Sequence, residues 1–278
     1  MRHVGHDQSF RDWYGERWMN NPKAVQLERL AGQVAIVTLN RAAARNAVDD
    51  HITHALGAIV EEIEGDPNIC AVVLRGAAGP AFCAGADLRI VNAGRLGDLF
   101  TDGGGFAGFT TALRRTPWIA AVDGFALAGG LEIVLACDFA IASTNARFGV
   151  PEVTRGIIAS AGALYRLPRA IPTGTAMRMI ATGEIIDANA ALACGLVTDV
   201  VAPEALLNEA LGVARAIARN APLAVAESLA LARKAAGVVD PPAQSASDEA
   251  QSRLEESEDR LEGTAAFLGK RPPVFTGR

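Results

Sequence analysis

Hydrophobic and polar residues alternate in VQLERL (25–30) and again in QVAIVTLN (33–40), as they do in strands with one buried face. Ala31 and Gly32 separate the two runs, so the pattern predicts a β-hairpin. The period changes in VDDHITHALGAIVEEIEGD (48–66), where apolar residues recur at helical spacing. The apolar residues of that face are Ile52, Leu56, Ile59, Val60 and Ile63. We expect two strands followed by an amphipathic helix.

Three short apolar runs follow, and each predicts a buried strand. They are AVVLRG (71–76), PWIAAVDG (117–124) and FAIAS (139–143). Helical stretches lie between these runs, and strands that alternate with helices are typical of an α/β core.

The pattern becomes helical and charged after Pro203, where three helical segments follow one another. We therefore divide the chain into three parts. Residues 1–24 form an N-terminal extension without a clear period, residues 25–202 form the α/β core, and residues 203–278 form a helical C-terminal region.

The composition excludes several classes of protein. With 50% hydrophobic and 21% charged residues in 278, the chain is typical of a globular protein rather than a disordered one. The net charge of −5 argues against nucleic-acid or anionic-membrane partners, which select clustered basic residues. No apolar run reaches the ~18–20 residues of a membrane span, and the N-terminus lacks a signal peptide. We expect a cytoplasmic protein.

The cysteines and histidines indicate no metal site. Cysteines occur singly at 70, 83, 137 and 194, without the paired spacing of zinc ligands, so we expect them to be reduced and mostly buried. His51 and His54 share a predicted helix face but lack a third ligand, so a solvated helix surface is the better interpretation.

Two glycine-containing stretches are candidates for chemistry. GAAGPAFCAGADLR (76–89) leaves a predicted strand, and its small residues let a ligand approach the backbone; a plain strand-to-helix loop is the alternative. In ALAGGLEIVLACD (126–138), a helix that begins near Gly129 would expose N–H donors suited to an oxyanion. Glu132 stands on the same turn, or it serves only to complement the helix dipole.

A third stretch, RFGVPEVTRGIIASAGALYRLPR (147–169), contains a second acid, Glu152. Two carboxylates facing one substrate can act as general acid and general base. A glutamate after proline also occurs as an ordinary helix start.

Taken together and in this order, the motifs resemble the enoyl-CoA hydratase/isomerase, or crotonase, superfamily from about Val25 to the C-terminus. The matching segments are LNRAAARNAV (39–48), FCAGADL (82–88), AAVDGFALAGGLEIVLACD (120–138), FGVPEV (148–153) and EGTAAFLGKRPPVF (262–275). The resemblance implies a crotonase-like ββα spiral core followed by a C-terminal helical trimerisation region.

The resemblance also implies roles for particular residues. The backbone N–H groups of Ala86 and Gly129 would form an oxyanion hole for the thioester. Glu132 and Glu152 would be the catalytic glutamates of an enoyl-CoA hydratase, which adds water reversibly to a 2-enoyl-CoA through an enolate. The residues expected at coenzyme A are Arg45, Ala84, Asp87, Leu88, Arg89, Phe267 and Lys270.

In this interpretation coenzyme A is part of the acyl-CoA substrate, and no other cofactor is expected. Phe267 and Lys270 match tail positions that reach an adjoining subunit in the family, which favours a homotrimer or a dimer of trimers. The stretch 89–113 would form the wall of the acyl pocket, with a mobile glycine cluster at 103–105.

One segment departs from the family pattern. Where many hydratases have a PGAGGTQRLPR-like sequence, this chain has ASAGALYRLPR (159–169), close to the water side of the pocket. Parts of the tail resemble carnitinyl-CoA dehydratases, which use a polar acyl group. A dehydratase of that kind, an enoyl-CoA isomerase, and a non-catalytic acyl-CoA-binding or RNA-binding relative are therefore alternatives to a simple hydratase.

Overall fold

The structure is a computed structural model and describes residues 24–235, 252, 255 and 257–274. The predicted N-terminal extension lies outside the described residues except for Ala24. The strands are β1 Val25–Leu30, β2 Val34–Leu39, β3 Ala71–Gly76, β4 Ala81–Cys83, β5 Phe100–Thr101, β6 Gly105–Phe106, β7 Trp118–Val122, β8 Phe125–Leu127, β9 Phe139–Ser143, β10 Arg147–Gly149, β11 Ile185–Asp187 and β12 Asp199–Val201.

The α-helices alternate with these strands and then follow them. They are α1 Asp50–Glu64, α2 Leu88–Asn92, α3 Gly129–Ala136, α4 Ala163–Ala170, α5 Thr173–Thr182, α6 Ala188–Ala193, α7 Leu206–Ala218, α8 Pro222–Ala235 and α9 Glu258–Leu268. Short 3₁₀ helices span Ala42–Ala44, Leu96–Leu99 and Pro151–Arg155.

Two sheets organise the core. The larger has six strands in the order β1-β2-β3-β7-β9-β12, and the smaller has four in the order β11-β10-β8-β4. The β1–β2 and β10–β11 pairs are antiparallel, whereas β2, β3, β7, β9 and β12 pair in parallel. β8 pairs in parallel with both β10 and β4, and β5 and β6 form a separate antiparallel pair.

The elements predicted from the longest patterns are confirmed. β1 and β2 form the expected hairpin, with Val25 opposite Leu39. α1 begins after Asp49, whose carboxylate accepts the Ile52 N–H at 2.9 Å, the arrangement of an N-cap that stabilises a helix by about 1 kcal/mol. The apolar face of α1 is buried as predicted.

The six-stranded sheet is covered on both faces, which explains why its central strands are continuously apolar. One face packs in the main core with α1, and the other packs against α7 through Leu206, Ala210 and Leu211. Complete burial of one such leucine contributes roughly 1.5–3 kcal/mol. α7 is therefore packed directly on the core sheet, and the trimerisation role of residues 203–278 stays a prediction.

The C-terminal helix α9 packs on the 3₁₀ helix Pro151–Arg155. A Cβ atom added at Gly263 would lie 2.2 Å from the carbonyl oxygen of Arg155, and one added at Gly156 would lie 2.5 Å from that of Asp259. The backbones are thus in direct contact. Within the described residues, no helix is long and apolar enough to cross a membrane.

Candidate active site

The two segments expected to supply the oxyanion hole lie side by side. β4 and β8 are neighbours in the smaller sheet; the loop with Ala86 follows the first, and α3 follows the second. A Cβ atom added at Gly85 would lie 2.7 Å from the Cβ of Ala128 and 3.0 Å from the amide nitrogen of Gly129. Gly85 also has φ +91°, so both its conformation and its surroundings favour glycine.

The backbone N–H groups of Ala86 and Gly129 are available to a ligand. The bridge to Val48 uses the carbonyl of Gly85 and the N–H of Asp87, each at 2.8 Å, and consecutive peptide groups in an extended chain point to opposite sides. In the part of the chain that the structure describes, neither Ala86 nor Gly129 donates to a backbone acceptor. The N–H groups of Ala86 and Gly129, which come from different loops, are therefore both left to donate to a ligand between those loops.

The turn before α3 is strained and closely packed. Ala128 has φ 54° and ψ −130°, a conformation that L-residues avoid and that costs about 1–3 kcal/mol. A Cβ atom at Gly130 would lie 2.0 Å from the Cys83 carbonyl oxygen, and one at Gly129 would lie 2.5 Å from the Phe106 ring. Gly130 thus allows α3 to pack on β4, and the Phe106 ring covers Gly129.

Glu132 is buried in the first turn of α3, with 3% of its surface exposed. Its Oε1 accepts the N–H of Ala163 at 3.0 Å. Burial raises the pKa of Glu132, while the N–H groups of residues 161–163 and the charge of Arg166 oppose that rise. This carboxylate is therefore provided with groups that stabilise its negative charge.

Glu152 is the second buried acid, with 6% of its surface exposed. It lies in the 3₁₀ helix Pro151–Arg155, and its Oε2 has no hydrogen-bond partner among the described residues. Burial and the charge of Glu132 raise the pKa of Glu152, while its own backbone N–H and, to a smaller extent, the charge of Arg155 lower it. The carboxylates expected to act together thus influence each other directly.

The different surroundings of Glu132 and Glu152 favour ionisation of one acid and protonation of the other. They titrate as a coupled pair. Glu132 accepts backbone N–H groups from residues 161–163, which favour its ionised form. Glu152 accepts its own backbone N–H, but its Oε2 has no hydrogen-bond partner among the described residues. The state that the surroundings favour at neutral pH has the negative charge on Glu132 and the proton on Glu152.

The buried acids also predict a change in stability with pH. Because the folded-state pKa of Glu152 lies above its ordinary value of 4.5, its contribution to stability is full below that value and is lost as the pH rises through the folded-state pKa. Glu152→Gln should therefore melt at a higher temperature than wild type at pH 9, by roughly 2–4 °C per kcal/mol. The two proteins should melt alike near pH 4; an equal difference at both pH values would contradict this prediction.

The residues expected at coenzyme A fall into two groups. Around the loop after β4, the Ala84 N–H donates to the Arg45 carbonyl at 3.1 Å, and Leu88 begins α2. Asp87 is buried and caps α2, and Arg89 binds it at 2.8 Å, which lowers the pKa of Asp87 to about 2. Arg45 and Arg89 are exposed, and their contact with coenzyme A stays a prediction.

Phe267 and Lys270 lie at the end of α9 and just beyond it. Both are exposed, and the guanidinium of Arg155 lies 4.5 Å from the centre of the Phe267 ring. Within this protomer, Phe267 is thus linked to the element that contains Glu152. Their contact with coenzyme A in an adjoining subunit stays a prediction.

The predicted acyl wall (89–113) borders a cavity of about 470 Å³. Its lining residues are Val91, Gly94, Leu96, Gly97, Phe100, Ser160, Ser252, Glu255 and Arg260. The Phe100 ring lies 5.6 Å from that of Phe106, and the Phe106 ring packs against Gly129, so one lining residue of the cavity is separated from Gly129 by a single aromatic ring. Gly104 packs against the backbone of Gly108, and a Cβ atom at Gly104 would lie 2.4 Å from the Gly108 carbonyl oxygen. At least one glycine of the 103–105 cluster is therefore needed because a side chain would not fit.

Three residues that sequence reasoning missed hold the site in place. Arg41 binds Asp49 at 3.1 Å and Asp87 at 3.3 Å. The buried Asn46 amide donates to the Ala81 carbonyl at 2.9 Å. Both belong to the LNRAAARNAV motif, which was the available signal. Arg166 donates to the Thr110 carbonyl at 2.6 Å; it belongs to the RLPR end of the segment 159–169, which keeps the family pattern and was the available signal there.

Comparisons with known proteins identify the family. The sequence matches the family model described as enoyl-CoA hydratase/isomerase over residues 29–278. It is 41% identical to (E)-benzylidenesuccinyl-CoA hydratase of Thauera aromatica, covering 91% of this chain and 99% of that protein. It is 39% identical to short-chain-enoyl-CoA hydratase of Clostridium acetobutylicum, covering 86% and 93%.

The same likeness is found among solved structures. The carnitinyl-CoA hydratase of Mycobacterium avium superposes with a TM-score of 0.87 at 40% identity, covering 92% of this chain and 99% of that one. The chain belongs to the enoyl-CoA hydratase/isomerase family. The predicted family, α/β fold and enzyme class are confirmed by these matches.

Proposed function

We propose that this enzyme adds water reversibly across the double bond of a 2-enoyl-CoA. The observation that carries the proposal is the pair of buried carboxylates, Glu132 and Glu152, whose charges interact, together with the N–H groups of Ala86 and Gly129. Glu132 follows Gly129 within the first turn of α3. The donors and the acids therefore serve one substrate.

The oxyanion hole stabilises the intermediate. Attack of water at C3 moves an electron pair from the double bond toward the thioester, so that negative charge gathers on the thioester oxygen as an enolate. Fixed N–H donors aimed at that oxygen stabilise the enolate, and loss of one such donor typically costs about 3–4 kcal/mol. Ala86 and Gly129 supply these donors.

The two glutamates handle the protons. Glu132, which starts ionised, orients the water and takes its proton as the C–O bond forms at C3. Glu152, which starts protonated, delivers its proton to C2 as the enolate collapses to the thioester. In dehydration each residue takes the opposite role, as microscopic reversibility requires.

Incubation with crotonyl-CoA tests this function. We expect 3-hydroxybutyryl-CoA to form, with loss of the absorbance of the conjugated thioester. A 3-enoyl-CoA offered separately should be converted to the 2-enoyl isomer much more slowly. Rapid isomerisation without hydration would instead identify an isomerase.

A second candidate, hydration or dehydration of a polar acyl-CoA, is favoured by the cavity beside the site. Its lining residues include Ser160, Arg260 and Glu255, whose side chains are polar or charged, whereas a saturated alkyl chain would prefer an apolar wall. Ser160 belongs to the segment that departs from the family pattern. Relatives named for benzylidenesuccinyl-CoA and carnitinyl-CoA support an acyl group with a polar or ionised end.

Arg260→Met tests the acyl preference. Because the substitution removes a cation from the cavity, kcat/KM for a 2-enoyl-CoA with a terminal carboxylate should fall by about tenfold or more, while crotonyl-CoA turnover changes little. Arg178→Met is a matched control, since Arg178 is exposed and pairs with Glu184 at 2.7 Å. Equal losses on both substrates would contradict the specificity role.

A homotrimer or a dimer of trimers in the cytoplasm is part of the same proposal. Exposed apolar side chains on α8 and α9 support it, with Leu223 and Leu231 73% and 69% exposed in the single chain. Such groups are usually covered in an assembly. Light scattering of the purified protein measures the number of subunits.

A further inference from the structure

The guanidinium of Arg155 is folded back against the protein and partly buried, although Arg155 lies at the end of the 3₁₀ helix Pro151–Arg155. Its Nη1 donates to the carbonyl of Pro151 at 3.1 Å, which folds the guanidinium back along the helix that contains Glu152. Its Nε is buried without a hydrogen-bond partner among the described residues. A cation in this position has lost part of its hydration, which costs free energy that nearby groups must offset.

The C-terminal helix covers this cation. The Phe267 ring lies 4.5 Å from the Arg155 guanidinium, and Gly263 permits α9 to meet the backbone of Arg155 directly. An aromatic face attracts a guanidinium and also keeps water from it. Exclusion of water lowers the local dielectric, which strengthens the effect of Arg155 on nearby charges.

Glu152 and Arg155 are three residues apart in the 3₁₀ helix Pro151–Arg155, and residues at that spacing lie on the same side of a 3₁₀ helix, so Glu152 is the acid that this cation faces along the helix. Burial and the charge of Glu132 raise the pKa of Glu152, and the backbone N–H of Glu152 and the charge of Arg155 lower it. The other elements packed on the 3₁₀ helix also contain charged residues: Arg178 on α5 and Glu258, Asp259, Arg260 and Glu262 on α9. Of these, Arg178 is paired with Glu184 and Glu262 with Arg271, and none contributes to the pKa of Glu152.

We propose that Arg155 is a positioning residue which, held under the Phe267 ring, sets how firmly Glu152 holds its proton, so that docking of the C-terminal helix is coupled to proton transfer. The proposal rests on the role of Glu152 in hydration. It adds that the proton donor is tuned by a contact from the last helix of the fold. An active site with α9 displaced would have a less acidic Glu152.

The pH profile of kcat/KM tests the proposal. Glu152 must be protonated to donate to C2, so its loss of a proton sets the alkaline limb of the hydration profile. Arg155→Met removes the cation and raises the pKa of Glu152, so the alkaline limb should move upward by about one pH unit. Arg155→Lys keeps a cation, and its limb should return toward that of wild type.

Phe267→Ala tests the contribution of the C-terminal helix. It exposes Arg155 to water, so the alkaline limb should move in the same direction by a smaller amount. Leu268→Ala is a matched control, because Leu268 is 49% exposed and Phe267 is 48% exposed on the same helix; its limb should not move. In Arg155→Met/Phe267→Ala the limb should match that of Arg155→Met alone, since both changes act through one cation.

A titration by NMR separates failure of this proposal from failure of the proposed function. The ¹³C shift of the Glu152 side-chain carboxyl reports its protonation without turnover, and Glu152→Gln assigns the signal. Even if wild type does not hydrate crotonyl-CoA, Arg155→Met should raise the titration midpoint of Glu152. An unmoved midpoint, or a fall in activity with an unmoved alkaline limb, would overturn the proposal by showing that Arg155 is only structural.

Discussion

Glu152→Gln is expected to lower kcat/KM for crotonyl-CoA hydration by roughly 10²–10⁴-fold, the usual contribution of a positioned general acid. The amide has nearly the shape of the carboxyl group but no acidic proton for C2. Glu132→Gln should cause a loss of similar size, because an amide cannot take the proton of the attacking water. Both variants should fold, since neither introduces a clash.

The binding of acyl-CoA distinguishes catalysis from structure in this experiment. Because both glutamates stabilise the transition state by proton transfer and not the bound ground state, the Kd of a saturated acyl-CoA should change little in either variant. Glu204→Gln is the control, since Glu204 is exposed in the turn before α7 and should retain full activity. Because the two acids act on one intermediate, the double variant should be little slower than the worse single one. Normal turnover by either single variant would remove that residue from the mechanism.

Gly85→Ala is expected to abolish most activity by displacing the oxyanion hole. The new methyl group would lie 2.7 Å from the Cβ of Ala128 and 3.0 Å from the amide nitrogen of Gly129. The loop and α3 must therefore separate, and the loss of one donor alone costs about 10²–10³-fold in kcat. A lower melting temperature should accompany the loss.

Gly32→Ala controls for backbone strain in this comparison. Gly32 has φ +84°, similar to the +91° of Gly85, but a Cβ atom there meets nothing within 4 Å. It should cost about 1–2 kcal/mol of stability from strain alone and leave kcat/KM unchanged. If Gly85→Ala behaved like Gly32→Ala in both measurements, the close approach of the two loops would not be required for activity.

The long elements of the fold could be predicted from the sequence because their patterns persist over several residues. β1 and α1 each repeat their period often enough to be recognised. β2 was correctly predicted as a strand, but the prediction that it has only one buried face is wrong, because the sheet packs against the core on one side and α7 on the other. The strands β4, β8 and β10 were not predicted, since each has three residues and no alternation can be seen over so short a length. These strands place the Ala86 loop beside Gly129, so the site depends on elements without a pattern of their own.

The candidate site shows a similar division. Glu132 and Glu152 stood out as acids within apolar or turn segments, and the family motifs supplied the roles of Ala86 and Gly129. Which glutamate holds the proton depends on the N–H of Ala163, a backbone group that no side chain reveals. Arg155 and Phe267 are far apart in sequence, and only folding brings the guanidinium beneath the ring.

Hydration of crotonyl-CoA in ¹⁸O-labelled water is the most direct measurement of the proposed chemistry. We predict that the acyl-CoA gains the mass of one labelled water, with the label on C3, and that the rate falls sharply in Glu132→Gln and Glu152→Gln. If the wild-type protein formed no labelled 3-hydroxyacyl-CoA, and only crotonyl-CoA or an isomer of the same mass were recovered, hydration through these two glutamates would be contradicted.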